Sequence, residues 1–144
     1  MLVALLIAAA ATASVPAPAP TSARADLVVV VEGVKGDAGW VRLDLCGPKA
    51  FLTDRCAFSG EARAQAGSVT VTLPDVPESE YAIQAWHDRD GDRRVSRNGL
   101  GIPTEALGFS RAPPLGLHGP SFARSSFAHG AAPQSVTVRL KGLL

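Results

Sequence analysis

The chain has 144 residues and a formal net charge of +1. Apolar residues make up 47% and charged residues 19% of the sequence, which is typical of one globular domain and excludes a disordered chain. The acidic and basic residues are scattered, so the chain lacks the basic stripe that a nucleic-acid backbone requires. We therefore expect an unidentified ligand or protein partner, no nucleic-acid binding, and a monomer.

Residues 1–25 are predicted to be a signal peptide followed by a Pro/Ala spacer. Leu2 to Ala11 is an unbroken apolar run of ten residues, which is too short to cross a bilayer as a helix. Residues 11–13 (Ala-Thr-Ala) and 23–25 (Ala-Arg-Ala) both fit the small-x-small pattern of a cleavage site. No Lys or Arg precedes the run, which leaves an apolar tail as the alternative. We expect export to the periplasm or the extracellular space, and no transmembrane segment.

The two cysteines support export. Cys46 and Cys56 are separated by nine residues, and no further cysteine completes a zinc cluster. In an oxidising compartment two such cysteines usually pair. We predict a disulfide, which would stabilise the fold by roughly 2.5–3 kcal/mol in the chain-entropy model. The alternative is two unrelated buried thiols.

Residues 26–144 are predicted to form a single all-β domain. Alternating or β-branched runs are separated by turn residues, and no stretch has a helical period. About seven short strands indicate an immunoglobulin-like or transthyretin-like β-sandwich with one long Gly/Pro-rich loop. The segment at 57–65 is polar and is expected at a sheet edge, and the turn after the fourth strand is expected over residues 74–80. The predicted strands are residues 27–31, 41–45, 57–65, 68–73, 81–87, 122–127 and 136–140.

The loop from Asp88 to Gly119 is unusually long for a compact domain. Long loops without secondary structure are usually functional or disordered. This loop contains apolar residues such as Ile102 and Phe109, so we expect it to pack against the sandwich. Any functional site is expected here.

The loop begins with a series of carboxylates that suits a calcium ion. Aspartates at alternate positions around a glycine direct several oxygens to one point, and Ca²⁺ takes six to eight oxygen ligands. We predict Asp88, Asp90, Asp92 and Ser96 as candidate calcium ligands, with Asn98 as a further binding or loop-capping residue. Glycine stands fourth and no Glu stands twelfth, so the loop is not an EF-hand. The alternative is a solvated turn whose acids pair with neighbouring arginines.

His87 and Trp86 end the fifth predicted strand on opposite faces. His87 lies on the face of Tyr81, Ile83 and Ala85, and we expect it to cap the loop by bonding a backbone carbonyl. A zinc site with another histidine is the alternative. Trp86 is expected in the core, with an exposed platform for sugar as its alternative.

No catalytic residue is predicted. The three histidines are far apart in sequence, and no serine lies in a Gly-x-Ser-x-Gly elbow. The sequence therefore favours an exported, non-catalytic accessory or binding module. The alternative is a hydrolase-type enzyme that uses His87 and the loop carboxylates.

An ordered series of blocks resembles one bacterial family. The blocks are residues 86–92 (Trp-His-Asp-Arg-Asp-Gly-Asp), 100–105 (Leu-Gly-Ile-Pro-Thr-Glu), 108–110 (Gly-Phe-Ser) and 120–122 (Pro-Ser-Phe). They are similar to blocks of the exported family catalogued as domain of unknown function 2141. The resemblance covers Asp26 to Leu140 and implies an exported β-sandwich without implying an activity. The chain departs from the family pattern at Ser96, where Asp is usual, and at Arg93, where Gly is frequent. Both changes weaken an acidic cation site.

A second, looser similarity concerns the hairpin around residues 73–77 (Leu-Pro-Asp-Val-Pro) and Tyr81. It is similar to hairpins of transthyretin-like and carboxypeptidase-regulatory-like modules, in which the tyrosine packs at a sheet corner. Such modules are mostly accessory, and this likeness of fold implies no particular function.

Overall fold

Two β-sheets pack face to face in the computed structural model, which describes residues 10–115 and 118–143. Most of the apolar run predicted as the signal peptide falls on residues 1–9, outside the described residues. Within the described ranges, no helix is long and apolar enough to cross a membrane. The elements are β1 (Arg24–Val34), β2 (Trp40–Cys46), β3 (Phe58–Arg63), β4 (Gly67–Pro77), β5 (Ser79–Asp88), β6 (Leu107–Phe109), α1 (Phe122–Ser125), β7 (Phe127–His129) and β8 (Gln134–Arg139).

The strand order explains how the two sheets are assembled. One sheet has the order β4-β1-β8, in which β1 is antiparallel to β4 and parallel to β8. The other has the order β3-β2-β5-β6, and β7 pairs with the start of β5. The predicted all-β sandwich is confirmed, with eight strands in the described residues where about seven were expected. The additional strand, β6, lies inside the segment that was predicted to be loop.

The core lies between the sheets and follows from the two-residue period of the strands. Leu27, Val29 and Val31 of β1 are fully buried, and Leu43 and Leu45 of β2 face them from the other sheet. Successive side chains of a strand point to opposite faces. Full burial of each such side chain contributes about 1.5–3 kcal/mol. The valines of β1 on the opposite face are only half-buried.

Two local predictions were wrong. The segment 122–127 was predicted as a strand, but its first four residues form α1, and β7 begins only at Phe127. Ser121 caps this helix because its side chain accepts a hydrogen bond from the Arg124 N–H. The turn expected over residues 74–80 is much shorter, since β4 extends to Pro77 and β5 begins at Ser79. β4 is an edge strand, where proline is tolerated.

Tyr81 occupies the corner position that its hairpin predicted. Its side chain is buried in the core cluster, and its hydroxyl donates a hydrogen bond to the Pro77 carbonyl at 3.0 Å. The ring contacts Phe58 edge-on, with the ring centroids 6.2 Å apart. The tyrosine therefore fixes the reversal between β4 and β5.

Gly108 allows β6 to lie directly against the other sheet. A Cβ at this position would lie 2.5 Å from the Arg139 carbonyl oxygen of β8. Leu107 and Lys141 exchange two backbone hydrogen bonds beside it. The strand β6 thus closes one side of the sandwich and anchors the end of the long loop.

Candidate functional site

Cys46 and Cys56 form a disulfide, as predicted, with their Cα atoms 4.6 Å apart. The bond holds the loop 47–55 over the outer face of the five-stranded sheet. Gln84 of β5 fixes the same loop, since its amide accepts from the Leu52 N–H at 2.9 Å and donates to the Thr53 carbonyl at 2.8 Å. The loop 47–55 is therefore held on the sheet by a covalent bond and by two hydrogen bonds.

His87 lies on the inner face of β5, opposite Val41 of the core. It is buried, and its Nε2 lies 2.8 Å from the carbonyl oxygen of Ala38. The carbonyl is the kind of partner that was predicted, but it belongs to the β1–β2 turn and not to the long loop. His129 bonds elsewhere, to the Ala25 carbonyl. Among the described residues, no histidine joins a group of three potential metal ligands.

Asp88 lies on the outer face of β5 and is fully buried beneath the long loop. Its Oδ2 accepts from Arg42 Nε and from the Arg93 N–H at 3.0 Å, and its Oδ1 accepts from the Gly91 N–H at 2.9 Å. Burial alone would raise the pKa of this carboxyl. The hydrogen bonds, led by that from Arg42, outweigh burial, so the pKa of Asp88 lies below its ordinary value.

Arg42 of β2 is a buried cation on the outer face of the five-stranded sheet, and the sequence did not indicate its role. It pairs with Asp88 and with Glu61 of β3, and Glu61 also accepts from the Arg93 guanidinium at 3.2 Å. Breaking a buried pair by removing one partner typically costs 3–5 kcal/mol, because the other charge is left uncompensated. The network joins three strands and the long loop into one layer.

Gly39 brings the β1–β2 turn against the first residues of the loop. Its φ is +76°, and a Cβ there would lie 2.1 Å from the Asp88 carbonyl oxygen. No other residue fits this close approach of two backbones. Two contacts therefore hold the start of the loop. One is the close approach of Gly39, and the other is the set of hydrogen bonds that the Asp88 carboxylate accepts.

The acidic residues predicted as calcium ligands are only partly brought together. Oxygens of Asp88, Asp90 and Glu105 lie within 4.8 Å of one another, whereas Asp92 is not in this group. The Ser96 hydroxyl lies 3.5 Å from Asp90 Oδ2. Glu105 was missed because it is distant from the aspartates in sequence, although it closes the Leu-Gly-Ile-Pro-Thr-Glu block.

Most of these carboxylate oxygens already accept hydrogen bonds from the loop. The two oxygens of Glu105 accept from the N–H groups of Arg89 and Ser96, and Asp92 Oδ1 accepts from the Arg94 N–H at 2.8 Å. Asn98 does the same further along, since its Oδ1 accepts from two backbone N–H groups of residues 100 and 102. Asn98 therefore bonds the backbone of the turn that follows it.

A cleft of about 780 Å³ lies over the outer face of the five-stranded sheet. Trp86 and Gln84 of β5 line it. The other walls are formed by residues 52–54 of the disulfide loop, by residues between 93 and 103, which precede β6, and by residues 115 and 118–120, which follow β6. The expectation that Trp86 belongs to the core was wrong. It is half-buried on the outer face, and its buried Nε1 has no hydrogen-bond partner among the described residues.

The comparison with protein families gives one result. A family described as "Uncharacterized protein conserved in bacteria (DUF2141)" matches residues 29–137. The chain belongs to this family. No curated protein and no solved structure matches it. The matched range contains β2 to β7 and the acidic loop, and it contains the residues that line the cleft except Leu143.

Proposed function

We propose that this DUF2141 protein is an exported, non-catalytic binding module that holds a small ligand in the cleft beside Trp86. The observation that carries the proposal is the convergence of three separate loop segments on the outer face of β5. Ligand sites are concave, mostly apolar and about 300–1,000 Å³ in volume. The cleft has a volume in that range, and the disulfide and the Arg42 network hold its walls.

The position of His87 favours binding over hydrolysis. A hydrolase that used His87 and the loop carboxylates would need them to converge in one pocket. They lie on opposite faces of β5, with His87 bonded to Ala38 and Asp88 bonded to Arg42. This separation supports the binding proposal over the hydrolase alternative.

The start of β1 supports export with cleavage after Ala13. Disulfides persist in oxidising compartments. β1 begins at Arg24, and Ala25 is buried and accepts a hydrogen bond from His129 through its carbonyl. Cleavage after Ala25 would remove part of this strand.

We expect the intact mass of the exported protein to correspond to a chain that begins at Ser14. Retention of Met1, or a chain that begins at Asp26, would contradict this.

Calcium binding by the acidic loop remains a separate hypothesis. The clustering of Asp88, Asp90 and Glu105 supports it, whereas Arg42 and the loop N–H groups compete for the same oxygens. If calcium binds only the folded state, a concentration of one hundred times Kd adds about 2.7 kcal/mol to the free energy of unfolding. The melting temperature should then rise with millimolar calcium, and Asp90→Ala should abolish the rise. No rise in the wild type would reject the hypothesis.

A thermal-shift screen with a library of drug-sized molecules tests the binding proposal. Molecules that occupy the cleft should raise the melting temperature of the wild type and lose this effect in Trp86→Ala. Trp40→Ala is the matched control, because Trp40 lies on the outer face of β2 but does not line the cleft. Absence of stabilising molecules, or equal loss of effect in both variants, would overturn the proposal.

A further inference from the structure

Exposed apolar side chains are concentrated at the cleft. Five large apolar residues are exposed among the described residues, and three of them, Leu52, Leu115 and Leu143, line this cleft with exposed fractions of 46%, 42% and 41%. They come from three different segments of the chain. Contiguous exposed apolar surface marks interaction or ligand sites. The cleft therefore offers an apolar wall to an apolar part of a ligand.

Three arginines give the cleft positive charge in addition to its apolar wall. Arg93, Arg94 and Arg97 all line the cleft and are exposed. Arg93 bonds Glu61, and Arg97 donates one hydrogen bond to the Gly101 carbonyl at 2.9 Å. The carbonyl that accepts from Arg97 is neutral, so this hydrogen bond does not neutralise the positive charge of Arg97. Guanidinium groups bind carboxylate and phosphate oxygens through two parallel hydrogen bonds.

Two acids of the cleft also line a second pocket. This neighbouring pocket of about 330 Å³ shares Asp44, Asp54 and Arg93 with the cleft but not Arg94 or Arg97. Arg94 and Arg97 therefore line a part of the cleft that the second pocket does not share.

We propose that the ligand of this cleft is an amphipathic anion, with an apolar body of acyl-chain size and a carboxylate or phosphate head. The apolar body packs against the leucines of the cleft, and the head binds Arg94 and Arg97. This inference rests on the proposed binding function and specifies the class of ligand.

Four ligands with the same apolar chain and different heads test the inference. Decanoate, decyl phosphate and decyltrimethylammonium are titrated below their critical micelle concentrations, and decan-1-ol is titrated below its solubility limit. The readout is the fluorescence of Trp86 in the Trp40→Phe variant, in which Trp86 is the remaining tryptophan. We expect at least one anion to bind tenfold or more tightly than decan-1-ol, and the preference to weaken as salt is added. Whichever anion binds more tightly identifies the head group as carboxylate or phosphate.

Charge variants identify the residues that recognise the head. Arg94→Gln combined with Arg97→Gln should remove the preference for the anion while leaving the affinity for decan-1-ol unchanged. Arg124→Gln is the matched control, because Arg124 is exposed and does not line the cleft. Equal affinity for anion and alcohol, or a preference for the ammonium compound, would overturn the inference while the cleft remains a binding site. Failure of all four ligands to bind would also overturn it, and the library screen then decides whether the cleft binds any ligand.

Discussion

The strand β2 presents Val41 and Leu43 to the core on its inner face, and Arg42 and Asp44 to the covering loops on its outer face. The inner face packs against apolar side chains of the other sheet, where any partner of suitable volume serves. The outer face is held by directed bonds, such as that from Arg42 to Asp88. An apolar layer depends on filled volume, whereas a buried polar layer depends on the identity of each partner.

Among the changes to the polar outer face, removal of Asp88 should lower the free energy of unfolding most. Asp88→Ala leaves the Arg42 charge buried with one partner fewer and deprives two backbone N–H groups of their acceptor. We expect a loss of about 3–5 kcal/mol in the free energy of unfolding, measured by urea denaturation. Leu43→Ala in the core provides the reference, with an expected loss of about 2–5 kcal/mol. A loss below about 1 kcal/mol for Asp88→Ala would show that the outer layer does not stabilise the fold.

The disulfide should have the next largest effect. Replacing both Cys46 and Cys56 by alanine frees the loop 47–55 in the unfolded chain, and we expect a loss of roughly 2.5–3 kcal/mol. Reduction of the wild type by dithiothreitol should give a similar loss in the same urea measurement. Dithiothreitol should not change the double variant, which serves as the control. An unchanged stability after reduction would contradict the prediction.

The pH dependence of stability should separate Asp44 from Asp88. Burial raises the pKa of Asp44, and the charge of Asp54 adds to this, while the hydrogen bond from Gln84 opposes it. A raised pKa means that the folded state holds the proton more tightly, so this contribution to stability falls as the pH rises through the folded pKa. Asp44→Asn should therefore modestly stabilise the protein at neutral pH and not at pH 3. The lowered pKa of Asp88 has the opposite sign, and its contribution is lost as the pH falls.

Asp92 should have the smallest effect. It is exposed, and its side chain accepts a hydrogen bond from the N–H of Arg94 in the same turn. Asp92→Ala is expected to change the free energy of unfolding by no more than about 0.5 kcal/mol. A change as large as that of Asp88→Ala, again in urea denaturation, would show that the exposed part of the loop contributes to the buried layer.

The sequence predicted the apolar layer better than the polar one. Apolar and β-branched runs are local signals, so the positions of β1 and β2 in the sequence were predicted. Arg42 and Glu105 act on the loop from positions 46 and 16 residues away from their partners, and no local pattern reveals such pairs. Trp86 was assigned to the correct face, but the sequence does not show that loops cover this face without filling it. The helix Phe122–Ser125 is too short to show a helical period.

The parallel pairing of β1 with β8 determines when the domain can finish folding. β1 is the middle strand of its sheet, and Leu27 lies beside Gln134, on a strand that comes near the end of the domain sequence. Loop-closure entropy opposes such distant pairings, and folds rich in them fold in milliseconds to seconds. A chain synthesised from its N-terminus therefore exposes β1 before both of its neighbours have been made. The order of the strands keeps this sheet incomplete until residues 134–139 have been added.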